Sequence, residues 1–525
     1  MTELYPDFYN DVFGPIMQPG SSSHTAGPCR LGHLAHDLLK APLKSIRVVL
    51  NRNGSFAGTF GLMNEDLGML AGAYGLLPDD ERIFDIKQIL NEEEIPFEFS
   101  EIPESSDANA VKFVLTGTDD KTVSLAGVST GGGMVETVQI LGFPYRSKGD
   151  TYLTCIRERE NTRQLDSFFQ LAVQKYGIRN VSVISDGKSG KLYCIQSETE
   201  PAELKAELER YSGAECYQMR PLLPVVTTGQ KKKQLFDTFT DWIRISKKRG
   251  QGLAETAIDY EQDASGWSRE EIIAYMKLVR ETMEKQTEAV YEDESALLEN
   301  PFSGYHYRQW RDYLKGGSLL AGDTVGRALY YAFAVQALVR GVKMVPGPMG
   351  TGGGFLYSAF RAVREAKNLS EEAVLRGLFV AAGVGVICYT RTQPTGEVIG
   401  CTGECGVCEA MTAAGLTEMM GGTPEQAEAA ASLALQSAIG WPCDPILGGD
   451  NQPCLSRVVT AVTMAITFAD LALSGRECVI PFHEVVDVAD QLGRGMPAEL
   501  KCTSCGGLCA SPAALNCKKA FQEWR

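Results

Sequence analysis

The spacing of apolar positions changes character twice along the chain. Up to about residue 150, strand-like alternation and short helical runs take turns. Ser45-Ile46-Arg47-Val48-Val49-Leu50 and Val111-Lys112-Phe113-Val114-Leu115 read as strands, and Ser129-Thr130-Gly131-Gly132-Gly133 as a glycine turn between apolar runs. From 151 to about 227 the order becomes β-α-β-β-α-β. It runs through a strand at 152–157 and a helix at 161–176 with Leu165, Phe168, Phe169 and Val173 on one face. Strands at 181–185 and 191–196 pair across Asp186-Gly187-Lys188-Ser189-Gly190, and a helix at 201–211 and a strand near 216–223 close the pattern. Beyond about 228 the period is helical almost throughout. Ser268 and Glu271 form a capping box ahead of an apolar face of Ile272, Met276, Val279, Met283 and Val290. Thr423-Pro424-Glu425-Gln426 starts another helix, which Gly440 ends. The pattern predicts an α+β multidomain chain: an N-terminal α/β domain over 1–150, a βαββαβ middle domain over 151–227 and an all-α domain over 228–525.

Length and composition fit this layout: 525 residues suit two to four domains, and 44% apolar with 22% charged residues is ordinary for a globular enzyme. The net charge of −16 argues against nucleic acid and anionic membrane as partners. The first residues, Met1-Thr2-Glu3-Leu4-Tyr5, lack a basic-then-apolar leader pattern, and the apolar run 377–389 reads as a buried helix, short of the about 20 residues a bilayer requires. The expectation is a cytoplasmic protein, in which fifteen cysteines suit metal ligation better than disulfides. Eleven of the fifteen lie after residue 380, which places their chemistry in the helical part.

Three of them stand at turn-and-helix junctions: Gly400-Cys401-Thr402-Gly403-Glu404, Pro442-Cys443-Asp444-Pro445 and Gln452-Pro453-Cys454. Cys401 and Cys454 precede predicted helices, whose free N–H groups and dipoles favour thiolate and sulfide charge. Three thiolates so gathered can hold three irons of a [4Fe–4S] cluster and leave the fourth open as a Lewis acid for a substrate hydroxyl. Rival readings fare worse. Cys401-x3-Cys405-x2-Cys408 has the spacing of a radical-SAM loop, but on a helix the three are expected to spread over its faces, and Val407 replaces the usual aromatic residue. Cys502, Cys505, Cys509 and Cys517 have no neighbouring His for a familiar zinc spacing. Pyridoxal phosphate is disfavoured, because no Lys lies in a Schiff-base motif and the Gly131–Gly133 and Gly352–Gly354 triplets suit tight turns.

With Gly20-Ser21-Ser22-Ser23-His24-Thr25-Ala26-Gly27 added, the chain resembles the iron–sulfur-dependent L-serine dehydratases in their single-chain form. The 42- and 11-residue cysteine spacings, Gly421-Gly422-Thr423-Pro424-Glu425-Gln426, and Thr503-Ser504 with Gly506-Gly507-Leu508 carry the likeness further. Two stretches depart from the family pattern. Leu62-Met63-Asn64-Glu65-Asp66 stands where the family has Gly-His-Gly-Thr-Asp, and Gly347-Pro348-Met349-Gly350-Thr351 where it has Ala-Pro-Thr-Ala-Gly. The middle domain is similar in order to ACT regulatory domains, which often bind an amino acid.

The resemblance implies a [4Fe–4S] lyase held by Cys401, Cys443 and Cys454. It would convert L-serine, through removal of the α-proton and loss of water, to pyruvate and ammonia. His24 is the candidate for proton transfer among five histidines, with His33 and His36 as packing or capping residues. Ser21, Ser22, Ser23 and Thr25 offer hydroxyls and N–H groups suited to a carboxylate, with Thr351, Gly352, Thr503 and Ser504 as further pocket residues. The implied partners are a small amino-acid substrate and a second copy in a homodimer. Lyase action on L-cysteine or L-threonine, and a silent iron–sulfur or amino-acid sensor, remain open alternatives, as do the roles of Cys405, Cys408 and the four C-terminal cysteines.

Overall fold

A computed structural model describes residues 5–52, 54–61, 63–102, 109–158, 180–185, 190–208, 214–226, 232–298, 305–317, 319–348, 353–446 and 453–524. They form two compact units, one of residues 23–231 and one of residues 1–22 with 232–525.

The unit of residues 23–231 is built on two sheets. The first has six strands: β1 (Leu43–Asn51), β2 (Phe97–Ile102), β3 (Ala110–Gly117), β4 (Thr122–Gly131), β5 (Met134–Ile140) and β6 (Phe143–Pro144). Their order is β2-β1-β3-β4-β5-β6, with β1–β2 parallel and the other pairs antiparallel. Strict alternation of buried and half-exposed residues on β3 and β4 shows one face packed and the other wetter, as antiparallel strands of this composition allow. The second sheet comprises β7 (Tyr152–Glu158), β8 (Asn180–Ser185), β9 (Lys191–Ser197) and β10 (Ala214–Met219), in the order β10-β7-β9-β8 and antiparallel throughout. Helix α3 (Ala202–Leu208) precedes β10 as expected, while the expected helix at 161–176 lies outside the described residues. Both sheets share one apolar core, which runs from Leu31, Val48 and Phe113 to Leu153, Leu192 and Tyr217. The Gly131–Gly133 triplet is a tight turn between β4 and β5, all three residues having positive φ.

Helices α1 (Gly27–Asp37) and α2 (Glu65–Tyr74) meet at backbone distance. Gly68 and Gly72, one turn apart on α2, make this possible. A Cβ at Gly68 would lie 2.3 Å from the Thr25 carbonyl oxygen, and one at Gly72 1.9 Å from that of Cys29. His33 and His36 on α1 cap the far end of α2, with Nδ1 atoms 3.1 Å from Leu76 O and 3.0 Å from Ala73 O. They are the packing and capping residues their position implied.

In the other unit, residues 5–22 join the helices instead of the N-terminal sheet. Phe8, Tyr9, Val12 and Phe13 are fully buried. The Phe8 amide donates to Glu261 Oε2 at 2.9 Å, Tyr260 Oη donates to the Pro6 carbonyl at 2.8 Å, and Met17 bridges to Met344. Sequence-local patterns group this segment with its chain neighbours; burial of four large apolar side chains decides otherwise. Both capping boxes form, at Ser268–Glu271 and Thr423–Gln426, with Pro424 at the first helical turn. The central element is α4 (Val407–Met419), buried on nearly every side and packed by α5 (Glu371–Arg391), α6 (Pro424–Ser437) and α7 (Cys454–Leu473). Among the described residues, α5 and α7 are long and apolar enough to cross a membrane; α5 is a mostly buried core helix, whereas α7 has a largely uncovered face.

The α1–α2 approach gives a direct test. Gly72→Ala is expected to lower the stability of the chain by roughly 1–3 kcal/mol, read as a fall in the urea midpoint, because the added methyl meets backbone that cannot rotate away.

Candidate functional site

The candidate residues gather in two constellations, one around His24 and one around the cysteines. In the unit of residues 23–231, His24 lies in a single π-helical turn, Ser22–Ala26, that runs directly into α1. It is 1% exposed, and both ring nitrogens are paired: Nδ1 with Ser23 Oγ at 2.9 Å and Nε2 with Ser55 Oγ at 2.8 Å. The Phe56 ring meets it edge-on. Thr25 Oγ1 donates to the Met63 carbonyl at 2.6 Å, so the segment after residue 62, where the resemblance leads one to expect a histidine, is a backing wall for the His24 turn. That wall is set by Glu65, fully buried at the start of α2. Its Oε1 accepts from Thr59 Oγ1 at 2.7 Å and its Oε2 from the Met63 amide at 3.0 Å. Burial pushes the Glu65 carboxyl up to about 8. Of the four expected hydroxyls, Ser23 and Thr25 are thus engaged in positioning, whereas the Ser22 hydroxyl is buried without a hydrogen-bond partner among the described residues.

In the unit holding the helices, Cys401, Cys443 and Cys454 come together from three separate junctions. Gly400, with φ 68°, turns the chain ahead of Cys401, and a Cβ there would lie 2.3 Å from Trp441 O. Cys401 then caps a π-helical turn, Thr402–Gly406, that leads into α4. Thr402 ties this turn to the next, donating to Ala438 O at 2.8 Å and accepting from the Trp441 amide at 3.1 Å. Cys443 sits in the Pro442–Pro445 turn, and Gly396 leaves room for its sulfur: a Cβ there would be 2.7 Å from Sγ. Cys454 is the first residue of α7, behind Pro453.

Further groups complete the set. The Cys401 and Cys405 sulfurs are hydrogen-bonded to each other at 3.3 Å. Cys502, at φ 57°, pairs with Cys443 through both side chain and backbone: the Cys443 amide donates to Leu500 O at 2.8 Å, and the Cys502 amide to Cys443 O at 2.7 Å. The expectation that Cys401, Cys405 and Cys408 spread over different faces fails for the first pair, because an i, i+4 spacing returns to the same side of the turn. Cys408 turns instead to Thr412. Thr503 and Ser504 donate to the backbone carbonyls of Glu499 and Pro445, while Thr351 and Gly352 lie outside the described residues.

Electrostatically the thiols divide. The hydrogen bond with Cys405 and the Arg457 guanidinium hold Cys401 below its ordinary range against burial. Cys405 is pushed well up by that same pairing, Cys443 by its bond with Cys502 and by burial, and Cys454 by burial and by the charge at Cys401. Glu404, buried beside them, is pushed up to about 8 by burial and then by Cys401. The arrangement is a pocket of soft sulfur donors beside one guanidinium.

Residues 230–509 match the protein family described as serine dehydratase alpha chain. The chain is 29% identical over 288 residues to the L-serine dehydratase alpha chain of Peptoniphilus asaccharolyticus, a match covering 55% of this chain and 98% of that one. It is 28% identical over 286 residues to the probable L-serine dehydratase alpha chain of Bacillus subtilis, covering 54% and 95%. A shorter match, 33% identical over 143 residues, links it to L-serine dehydratase 1 of Escherichia coli and covers 27% of this chain and 32% of that one.

Glu65 makes the wall behind His24 sensitive to pH. Its folded-state value of about 8 exceeds the ordinary 4.5, so the native state holds the proton more tightly. Its contribution to stability is complete below about 4.5 and is lost as pH rises toward about 8. Glu65→Gln is therefore expected to shrink the fall in Tm between those two pH values, measured by calorimetry on both chains in parallel.

Proposed function

Because the chain belongs to the serine dehydratase alpha chain family, we propose that it is an L-serine ammonia-lyase that works with a [4Fe–4S] cluster and releases pyruvate and ammonia. The observation that carries this reading is the convergence of buried Cys401 and Cys443 and half-buried Cys454, from three distant junctions, into one thiol pocket. Soft sulfur donors suit iron–sulfur clusters. Among the described residues no three His, Cys, Asp or Glu stand close enough to share a single ion. A cubane would place each thiolate on its own iron, so it does not ask the three to share one ion.

Cys401, Cys443 and Cys454 would hold the cluster. When bound, an iron with no protein ligand supplies a Lewis acid for the departing hydroxyl. The chain's own residues do the rest. His24, fixed at both nitrogens by serine hydroxyls, is the group proposed to move the α-proton, and the Ser21–Thr25 turn to hold the carboxylate end of the amino acid. Thr503 and Ser504 stay in this reading as residues that shape the pocket through the Cys443 turn. The β10-β7-β9-β8 order supports an ACT-like regulatory role for residues 151–227.

A second substrate reading, lyase action on L-cysteine or L-threonine, is favoured by the Met63–Glu65 wall, which fills with backbone and a buried carboxyl the place of a histidine stretch. Anaerobic reconstitution with iron and sulfide, followed by 2-oxo-acid assays on L-serine, L-threonine and L-cysteine, separates the two. The expected result is about four irons per chain and a preference for serine. Cys443→Ser is expected to lose iron and turnover together. His24→Asn is expected to keep its iron and lose about 100- to 10,000-fold in kcat. Turnover without iron would overturn the proposal.

A further inference from the structure

The thiol pocket holds a cation whose placement is not that of a surface charge. Arg457 stands one turn into α7, with its side chain 13% exposed, on the same helix as Cys454. Its Nη2 lies 2.7 Å from Asp444 Oδ1, and the guanidinium faces Cys401. Asp444 follows Cys443 directly, is 1% exposed, and uses its other oxygen to accept from the Leu508 amide at 2.7 Å. Gly507 permits that approach: it has φ 69°, and a Cβ there would lie 2.4 Å from Asp444 Oδ2. A continuous path thus runs from Cys401 through Arg457 and Asp444 to residues 507–508, touching each of the three turns that present a thiol.

An ion pair this deep is a poor source of stability, since desolvating both charges offsets most of their attraction. Its location suggests another purpose. Three thiolates and the sulfides of a [4Fe–4S] cluster leave a net negative group, and a fixed cation beside it compensates that charge without rearrangement. Resting on the iron–sulfur reading above, we propose that Arg457 and Asp444 are positioning residues for that cluster. Arg457 offsets the charge on the Cys401 side, and Asp444 holds the guanidinium in place while pinning the 507–508 segment over the Cys443 turn.

The test uses the full chain, reconstituted anaerobically, as wild type and as Arg457→Gln, Arg457→Lys and Asp444→Asn. Iron per chain, the rate of iron release to a chelator and the cluster's midpoint potential are measured. Arg457→Gln and Asp444→Asn are expected to release iron roughly 10- to 100-fold faster than wild type. The potential is expected to move negative in Arg457→Gln and to return toward the wild-type value in Arg457→Lys, because net charge beside a cluster helps to set its potential. A purely structural role would speed release without ordering the potentials by charge, and that outcome overturns the proposal, as do wild-type release rates in both neutral variants. If Arg457→Gln does not fold, Asp444→Asn decides: faster release together with a shifted midpoint potential supports the proposal, and faster release at the wild-type potential or an unchanged rate overturns it. A wild-type chain that takes up no cluster sinks the parent reading instead, before any variant is compared.

Discussion

The Cys443 turn depends on backbone hydrogen bonds it cannot make for itself. Pro442 and Pro445 bracket it, so neither a helix nor a strand can run through and satisfy its polar groups. It is nevertheless buried, and an unpaired buried amide or carbonyl costs about 1–3 kcal/mol. The remedy comes from far along the chain: Leu500 accepts from the Cys443 amide and Cys502 donates to its carbonyl. Ser504 adds a bond to Pro445 O, and the Asp444 carboxylate takes the Leu508 amide. The C-terminal segment is therefore part of the floor of the pocket. Every other feature of the pocket, from the space Gly396 leaves for sulfur to the reach of Arg457, presupposes that this turn is closed.

Once it is closed, burial does the electrostatic sorting. Gathering so many thiols out of water favours their neutral forms, and most are driven upward. One is spared, because Cys401 has both a hydrogen-bonded thiol and a guanidinium beside it. A set of identical side chains thereby becomes unequal through neighbours alone. The histidine constellation works differently: His24 is immobilised by hydroxyls on both nitrogens, so its orientation is fixed by hydrogen bonds and its depth by the glycine-mediated contact of α1 with α2.

Local signals made much of this legible. Capping boxes, proline turns and glycine stops mark helix ends within a few residues, which is why Cys401 and Cys454 could be placed at junctions and Thr423 and Ser268 at N-caps before any coordinates. The four strands at 151–227 also follow from local periodicity. What escaped was non-local. The Asp444–Arg457 pair and the clasp of residues 500–508 join positions that no periodicity connects. Cys405 could have been found, since its i, i+4 spacing from Cys401 already places the two on one side of a turn. Glu65 offered no signal, because a glutamate at the start of a helix ordinarily lies in water.

The membership of residues 5–22 was equally hidden, and it bears on how this protein can be divided. The family match begins at residue 230, and two relatives named as alpha chains are matched over nearly their whole length. Here the corresponding body draws Phe8, Tyr9, Val12 and Phe13 from the opposite end of the chain. A cut near residue 230 would not liberate a finished module; it would strip a plug from between Tyr260, Trp267 and Tyr275 and leave their faces open. The helical body is sewn shut with thread from the far end of the chain, so the boundary that matters for engineering is one of packing, not of sequence.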